Sequence, residues 1–235
     1  MRHRKQNIIL LSCASFLFCV FFIVIPFAST AQQDSLLKIE AQRGQKQILK
    51  TNPLPILWGN IVGTAEYRLL YEMPVSLRQT LMFGISYLGK GPFFTSLFSL
   101  SDTSTNLQIH NQIMQLANEA TINGFRIQIM EKFYLTQKHL APRGFYIGPH
   151  LSYSTAKITF PSIDLYENDT YLNWNIFLGG QTIINQVALD FFMGLGYKHN
   201  FYEVYYNKQK EDSGNIPSLT GNIKLSLGFN IGYAF

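Results

Sequence analysis

The tripeptide His150-Leu151-Ser152 sets an imidazole and a hydroxyl at positions i and i+2. On a strand, such residues point to the same side, so the histidine could serve as base toward the serine, as nucleophilic catalysis requires. The sequence assigns no third, orienting group, and a tripeptide this short recurs by chance. A histidine satisfied inside the fold is the preferred reading, with the hydrolase as the alternative. Other chemistry is thinner still. His110, His139, His150 and His199 are scattered, without the close spacing of a metal site. No Gly-rich phosphate loop joins a strand to a helix. Neither a cofactor nor a metal is expected.

A second set of polar residues shares one side of alternating segments: Glu66, Arg68, Arg126, Lys132, His150, Asp190, Lys198 and Lys224. The expected role is an internal polar and ion-pair network that satisfies groups hidden from water. A small pore lined by these charges is a further alternative, but Met130, Tyr134 and Phe177 fall on the same side and would fill it.

The elements that must position these groups follow a period of two. Phe125, Ile127, Ile129, Phe133 and Leu135 alternate with Arg126, Gln128, Met130, Lys132 and Tyr134. Leu172, Trp174, Ile176 and Leu178 alternate with Asn173, Asn175 and Gly179. Leu189, Phe191, Met193, Leu195 and Tyr197 alternate with Asp190, Gly194, Gly196 and Lys198. Several runs exceed the roughly 5–6 residues of a soluble strand and reach the ~9–11 needed to cross hydrocarbon. Tyrosines gather near their ends, where interfacial girdles sit. A soluble barrel would also alternate, but its polar face would carry many charges. Here that face is rich in Gly, Asn and Ser.

Composition points the same way. Only 14% of the 235 residues are charged, against roughly 25% in soluble domains, and aromatics equal them at 14%. Mean hydropathy is +0.04, which excludes a bundle of transmembrane helices. Arg2, His3, Arg4 and Lys5 precede an apolar run from Ile8 to Phe27, and Ala28-Ser29-Thr30-Ala31 fits a small-x-small cleavage rule. Residues 1–31 therefore read as a signal peptide, with an uncleaved anchor as the alternative. Both cysteines, Cys13 and Cys19, lie inside it, and the apolar run continues past Cys13, unlike a lipoprotein box. Removing Arg2, Arg4 and Lys5 from the 19 basic residues leaves 16 against 14 acidic ones, a net charge of +2. No basic cluster remains to bind nucleic acid.

Residues 32–53 read as a polar periplasmic linker and 54–235 as the barrel. Strands are expected near 56–71, 79–89, 93–101, 120–135, 144–159, 170–183, 188–204 and 218–235, with a loop helix over 108–118. Tight turns are expected at 184–187 and 89–92, an intermediate one at 136–143, a shorter link at 72–78, and long links at 101–119, 160–169 and 205–217. The reading is all-β: an eight-stranded antiparallel transmembrane barrel with both ends on the periplasmic side. Its last strand would pair with its first, leaving no open edge.

The chain ends on Leu227, Phe229, Ile231, Tyr233 and Phe235 at alternate positions. This pattern resembles the signal read by the barrel-assembly machinery. Asn123-Gly124-Phe125-Arg126, Arg143-Gly144-Phe145-Tyr146-Ile147-Gly148-Pro149 and Gly194-Leu195-Gly196-Tyr197 resemble a family of small bacterial outer-membrane barrels of unassigned function, of the outer membrane protein A/X type. The resemblance spans roughly residues 54–235 and brings no catalytic residues with it. The His-x-Ser pair resembles that of outer-membrane lipid A deacylases, which implies a lipid-modifying esterase using His150 and Ser152 as the alternative function. Those enzymes turn the pair toward lipid, whereas the register here sends it inward. The expected protein is a non-enzymatic outer-membrane component of a Gram-negative bacterium with a structural, envelope-integrity or surface-interaction role. Its expected partners are outer-membrane lipid and the barrel-assembly machinery. It is expected to be monomeric and to bind no nucleic acid, and any surface ligand would meet the long links.

Overall fold

A computed structural model describes residues 46–57, 59, 64–96, 107–135, 140–215 and 222–235. The signal peptide, most of the linker, residues 97–106, 136–139 and 216–221, and the expected readings that fall there, lie outside the described residues. Nine strands form one antiparallel sheet: β1 (Ile48–Thr51), β2 (Thr64–Ser76), β3 (Gln79–Lys90), β4 (Thr121–Tyr134), β5 (Gly144–Phe160), β6 (Leu165–Ile184), β7 (Val187–Tyr206), β8 (Gln209–Asn215) and β9 (Ile223–Ala234). The order β1-β2-β3-β4-β5-β6-β7-β9 returns to β1, which closes an eight-stranded barrel. β8 pairs only with β7, over Phe201–Tyr206, beyond the stretch Val187–Tyr197 that β9 occupies.

Two-residue turns join the longest strands. Asn185 takes a left-handed φ of 57° between β6 and β7, and Asn207 and Lys208 take 47° and 64° between β7 and β8. Such conformations match the twist of a hairpin, and asparagine tolerates them. The turns at 77–78 and 185–186 share one end of the barrel with both the start of β1 and the end of β9. Helix α1 (Leu54–Leu57) follows β1, and α2 (Leu107–Glu119) lies in the connection between β3 and β4, where the loop helix was expected.

The wall departs from the sequence reading in several places; the long link expected at 160–169 shrinks to 161–164 between β5 and β6, and the one expected at 205–217 holds the β7–β8 hairpin. The first run, 56–71, divides into α1 and β2, and the wall instead gains β1 from the stretch read as linker. Ile48-Leu49-Lys50-Thr51 is too short to show a period. It is held by partners on both sides, Leu49 facing Tyr71 of β2 and Tyr233 of β9. Pro53 and Pro55, which have no N–H to offer a ladder, end it. Consequently β9 closes onto β1, not onto the run 56–71. Of the expected strand at 93–101 only 93–96 are described; residues 94–96 are helical, and β3 pairs directly with β4. Phe94 is buried with Leu88, Ala117, Ala120 and Tyr171, so the apolar residues there cover one barrel end. Finally, β2 extends through Ser76, so the 72–78 link shrinks to a two-residue turn, and 89–92 opens the long β3–β4 connection. With β1 in the ring, the described strands that close the barrel number eight.

Outward positions form a continuous apolar belt. Phe145 is 73% exposed, Leu225 72% and Ile85 62%. Stacked Phe191–Phe229 and Tyr233–Phe235 rings lie on this face. On β7 the belt runs from Val187 to Tyr197, ten steps of roughly 3.4 Å, or about 26 Å along the axis at a ~40° tilt. A bilayer's apolar band on such barrels is ~25 Å. No helix among the described residues is long and apolar enough to cross a membrane, so any crossing falls to the strands.

Candidate functional site

Alternation sends the even-numbered residues of β2, β4, β5 and β7 inward, with the odd-numbered ones of β6. At the turn end they meet in one fully buried cluster. Lys50 Nζ donates to Glu72 Oε2, to Gln181 Oε1 at 2.6 Å and to Asp190 Oδ2 at 2.9 Å. Lys132 Nζ donates to the same three acceptors, at 3.1, 2.8 and 2.7 Å. Glu72 Oε1 accepts from Thr80 at 2.6 Å and Tyr134 at 2.9 Å, and Asp190 from Tyr146 at 2.6 Å and Asn230 at 3.0 Å. The Lys132 ammonium also lies 4.3 Å from the centre of the Tyr146 ring.

Every one of the eight ring strands contributes a residue to this cluster. Two ammonium groups face two carboxylates, so it is neutral, and each ammonium uses all three of its protons. Such a satisfied network fixes strand register, while loss of one member strands a charge. It forms a floor across the lumen. Ile48, Ile183, Ala188 and Ala234 pack as one buried cluster, and Leu70, Met82, Met130 and Phe177 pack with the floor's Tyr134 and Tyr146 in another.

A second cluster centres on Glu66. Its carboxylate accepts from Arg68 Nε at 2.9 Å, Ser86 Oγ at 2.8 Å and Arg126 at 3.2 Å. Arg126 also donates to Ser152 Oγ at 3.0 Å. Arg68 and Arg126 border a cavity of about 440 Å³ that Lys198 and Lys224 also line.

The structure therefore sorts the residues singled out by sequence into two levels. Lys132 and Asp190 belong to the floor, while Glu66, Arg68, Arg126, His150, Lys198 and Lys224 lie at or above the apolar layer. Sequence reasoning missed Lys50, Glu72 and Gln181. Lys50 sat in the presumed linker and Glu72 in a presumed loop, although the two-residue spacing of Glu66, Arg68, Leu70 and Glu72 already carried the signal. Glu131 was also missed: it is buried on the outer face, and both carboxylate oxygens lack a hydrogen bond among the described residues.

His150 and Ser152 share a face but not a bond. His150 Nδ1 lies 3.1 Å from Asn175 Nδ2, and Nε2 lies 3.5 Å from Gln128 Oε1. Ser152 Oγ accepts from Arg126 and, at 3.4 Å, from Asn173. Neither imidazole nitrogen has Ser152 Oγ as its partner, and the ring packs edge-on against Phe177 at 4.9 Å between centroids. The described residues contain no group of three or more His, Cys, Asp or Glu side chains that could hold a metal. The residues Leu227, Phe229, Ile231, Tyr233 and Phe235 lie on the apolar outer face of β9 and its end.

These features define an all-β, closed antiparallel barrel of eight strands with a polar, charge-paired interior and an apolar exterior. Among solved structures, a major outer membrane protein from Thermus thermophilus is similar at 9% identity and a TM-score of 0.36, over 81% of this chain and 99% of that one. No protein-family model and no curated protein matches the sequence.

Proposed function

We propose that this chain is an integral outer-membrane barrel with a non-enzymatic role in envelope structure or surface interaction. The observation that carries the reading is the belt of exposed phenylalanine, leucine and isoleucine around a barrel whose charges at that height turn inward, Glu131 excepted. In water, an apolar patch of this size would drive association. In a bilayer it matches the solvent, and closure leaves few backbone groups unpaired. The separate hydrogen bonds of His150 and Ser152 favour a structural histidine over a hydrolase, and the floor favours a closed lumen over a pore. The terminal Phe235 stripe would be read by the assembly machinery, and the signal peptide would be removed on export. Two features suit surface contacts: the β5–β6 hairpin tip, where Tyr166 stacks on Tyr205 at 4.7 Å, and the polar β7–β8 hairpin.

Membrane fractionation combined with surface proteolysis tests this reading. The expected result is outer-membrane recovery, heat-modifiable migration in detergent gels, and protease cuts confined to the end carrying 91–120, 161–164 and 207–222. Recovery in the soluble fraction would refute it. Release of fatty acid from lipid that vanishes in Ser152→Ala would establish the hydrolase instead.

A further inference from the structure

The upper lumen is unbalanced in charge. Arg68, Arg126, Lys198 and Lys224 line one cavity, and the carboxylate beside them, Glu66, is already shared by the two arginines. Asp190 reaches the cavity from below, but its oxygens are taken by Lys50, Lys132, Tyr146 and Asn230. Among the described residues, neither the Lys198 nor the Lys224 ammonium has an acceptor. The buried amides of Asn173 and Asn175 point into the same cavity with side-chain oxygens that no donor meets. Four cationic side chains, of which Arg126 is buried and the other three half-buried, lie against one carboxylate that is already shared, and an anion in the cavity would balance them.

Among the described residues, the wall beside this cavity is incomplete. Pro53 stops β1 after four residues, so among the described residues β1 bridges β2 and β9 only from Leu70 to Glu72 and from Ile231 to Ala234. Above that level no ladder among the described residues joins β2 to β9, and α1, which contacts β2, stands beside the gap. The cavity is lined by inward Lys224 and Ser226 and also by outward Leu225 and Leu227 of the same strand. Both faces of one strand can border a single cavity only where the cavity reaches that strand's edge. On the outer wall, an apolar groove of about 720 Å³ lies over Gly179, Gly180 and Gly228, where side chains are missing. Cavity and groove share Leu54, Tyr146, Phe192 and Leu227.

We propose that the barrel binds a single-chain anionic amphiphile, its headgroup held by Arg68, Arg126, Lys198 and Lys224 and its chain passing between β9 and α1 into the outer groove. This rests on the membrane reading only in placing lipid beside that gap. A carboxylate or phosphate head suits the cations, and the apolar exit beside Leu54 and Leu227 selects a ligand arriving from the bilayer over a soluble anion.

The test is native mass spectrometry of the purified barrel in a nonionic detergent, titrated with oleate, oleyl alcohol, acetate and inorganic phosphate. One oleate per barrel is expected, with the other three at least tenfold weaker. Lys198→Ala combined with Lys224→Ala should lower oleate affinity about tenfold or more. Ser226→Trp, which fills the cavity, should abolish binding, and both variants should keep heat-modifiable migration. Undiminished oleate binding in both variants, or oleyl alcohol binding as tightly as oleate, would overturn the proposal. Acetate or phosphate matching oleate would overturn the lateral, lipid-borne source. Failure of the unaltered protein to migrate as a barrel would refute the membrane reading, a separate outcome.

Discussion

Lys132→Met places the sharpest demand on the floor network. The substitution keeps most of the side-chain volume and removes one ammonium, three hydrogen bonds of 2.7–3.1 Å and the contact with the Tyr146 ring. Glu72 and Asp190 are both fully buried and would then share Lys50 alone. Removing one partner from a buried charged network costs about 3–5 kcal/mol, a large part of the ~5–15 kcal/mol that holds a typical domain. Urea titration of the refolded barrel in lipid vesicles, followed by the gel shift between compact and unfolded forms, measures this directly. The midpoint should fall with an unchanged slope. Adding Asp190→Asn should restore part of the loss, because the residual charges then match again, giving a favourable coupling in the double-mutant cycle. A loss below about 1 kcal/mol for Lys132→Met, or strict additivity in the double variant, would refute the claim that the cluster acts as one neutral unit.

Other outcomes follow from the same geometry. Gly196→Val should destabilise the barrel by about 1–3 kcal/mol, since a Cβ there meets the Trp174 carbonyl oxygen and the Asn175 backbone; an unchanged urea midpoint would contradict the packing. Glu131→Leu should stabilise it by about 1–3 kcal/mol, because a buried carboxylate without a hydrogen bond is replaced by an apolar group; a lowered midpoint would mean that the carboxylate has a partner. In the β7–β8 hairpin, hydrogen bonds from Lys210 and Tyr205 hold the Glu203 carboxyl below its usual value of 4.5. A depressed carboxylate stabilises above its unfolded value and loses that contribution as pH falls through the folded one. Amide protection in the hairpin should therefore be the same at pH 6 and 7 and decline below about pH 4.5; equal protection at pH 3 would refute the pairing.

Much of this architecture was legible from residue order because β-structure writes a period of two directly into sequence. The runs 120–135, 144–159 and 188–204 lie within a few residues of β4, β5 and β7, and the Asn185 turn came from local chemistry alone. The helix 107–119 was equally local. The inward set Arg126, Lys132, His150, Asp190, Lys198 and Lys224 followed from parity once strands were assumed. Parity failed where no run was long enough to express it, at Ile48–Thr51. It misled at 93–96, where residues 94–96 are helical and Phe94 is buried against Leu88, Ala117 and Ala120.

What the sequence settles by itself is which side of each long strand is apolar, and that is enough to demand two solvents, one inside and one outside. Only the tertiary structure decides who pairs with whom across the lumen. Lys50 and Asp190 are separated by 140 positions, and no local pattern links them. Closure brings them within 2.9 Å because both face the same level of the same interior. It likewise turns two prolines after β1 into an interruption of the wall, since the consequence of a missing ladder depends on the strands β2 and β9 that flank it. Local alternation fixes faces; closure alone fixes neighbours.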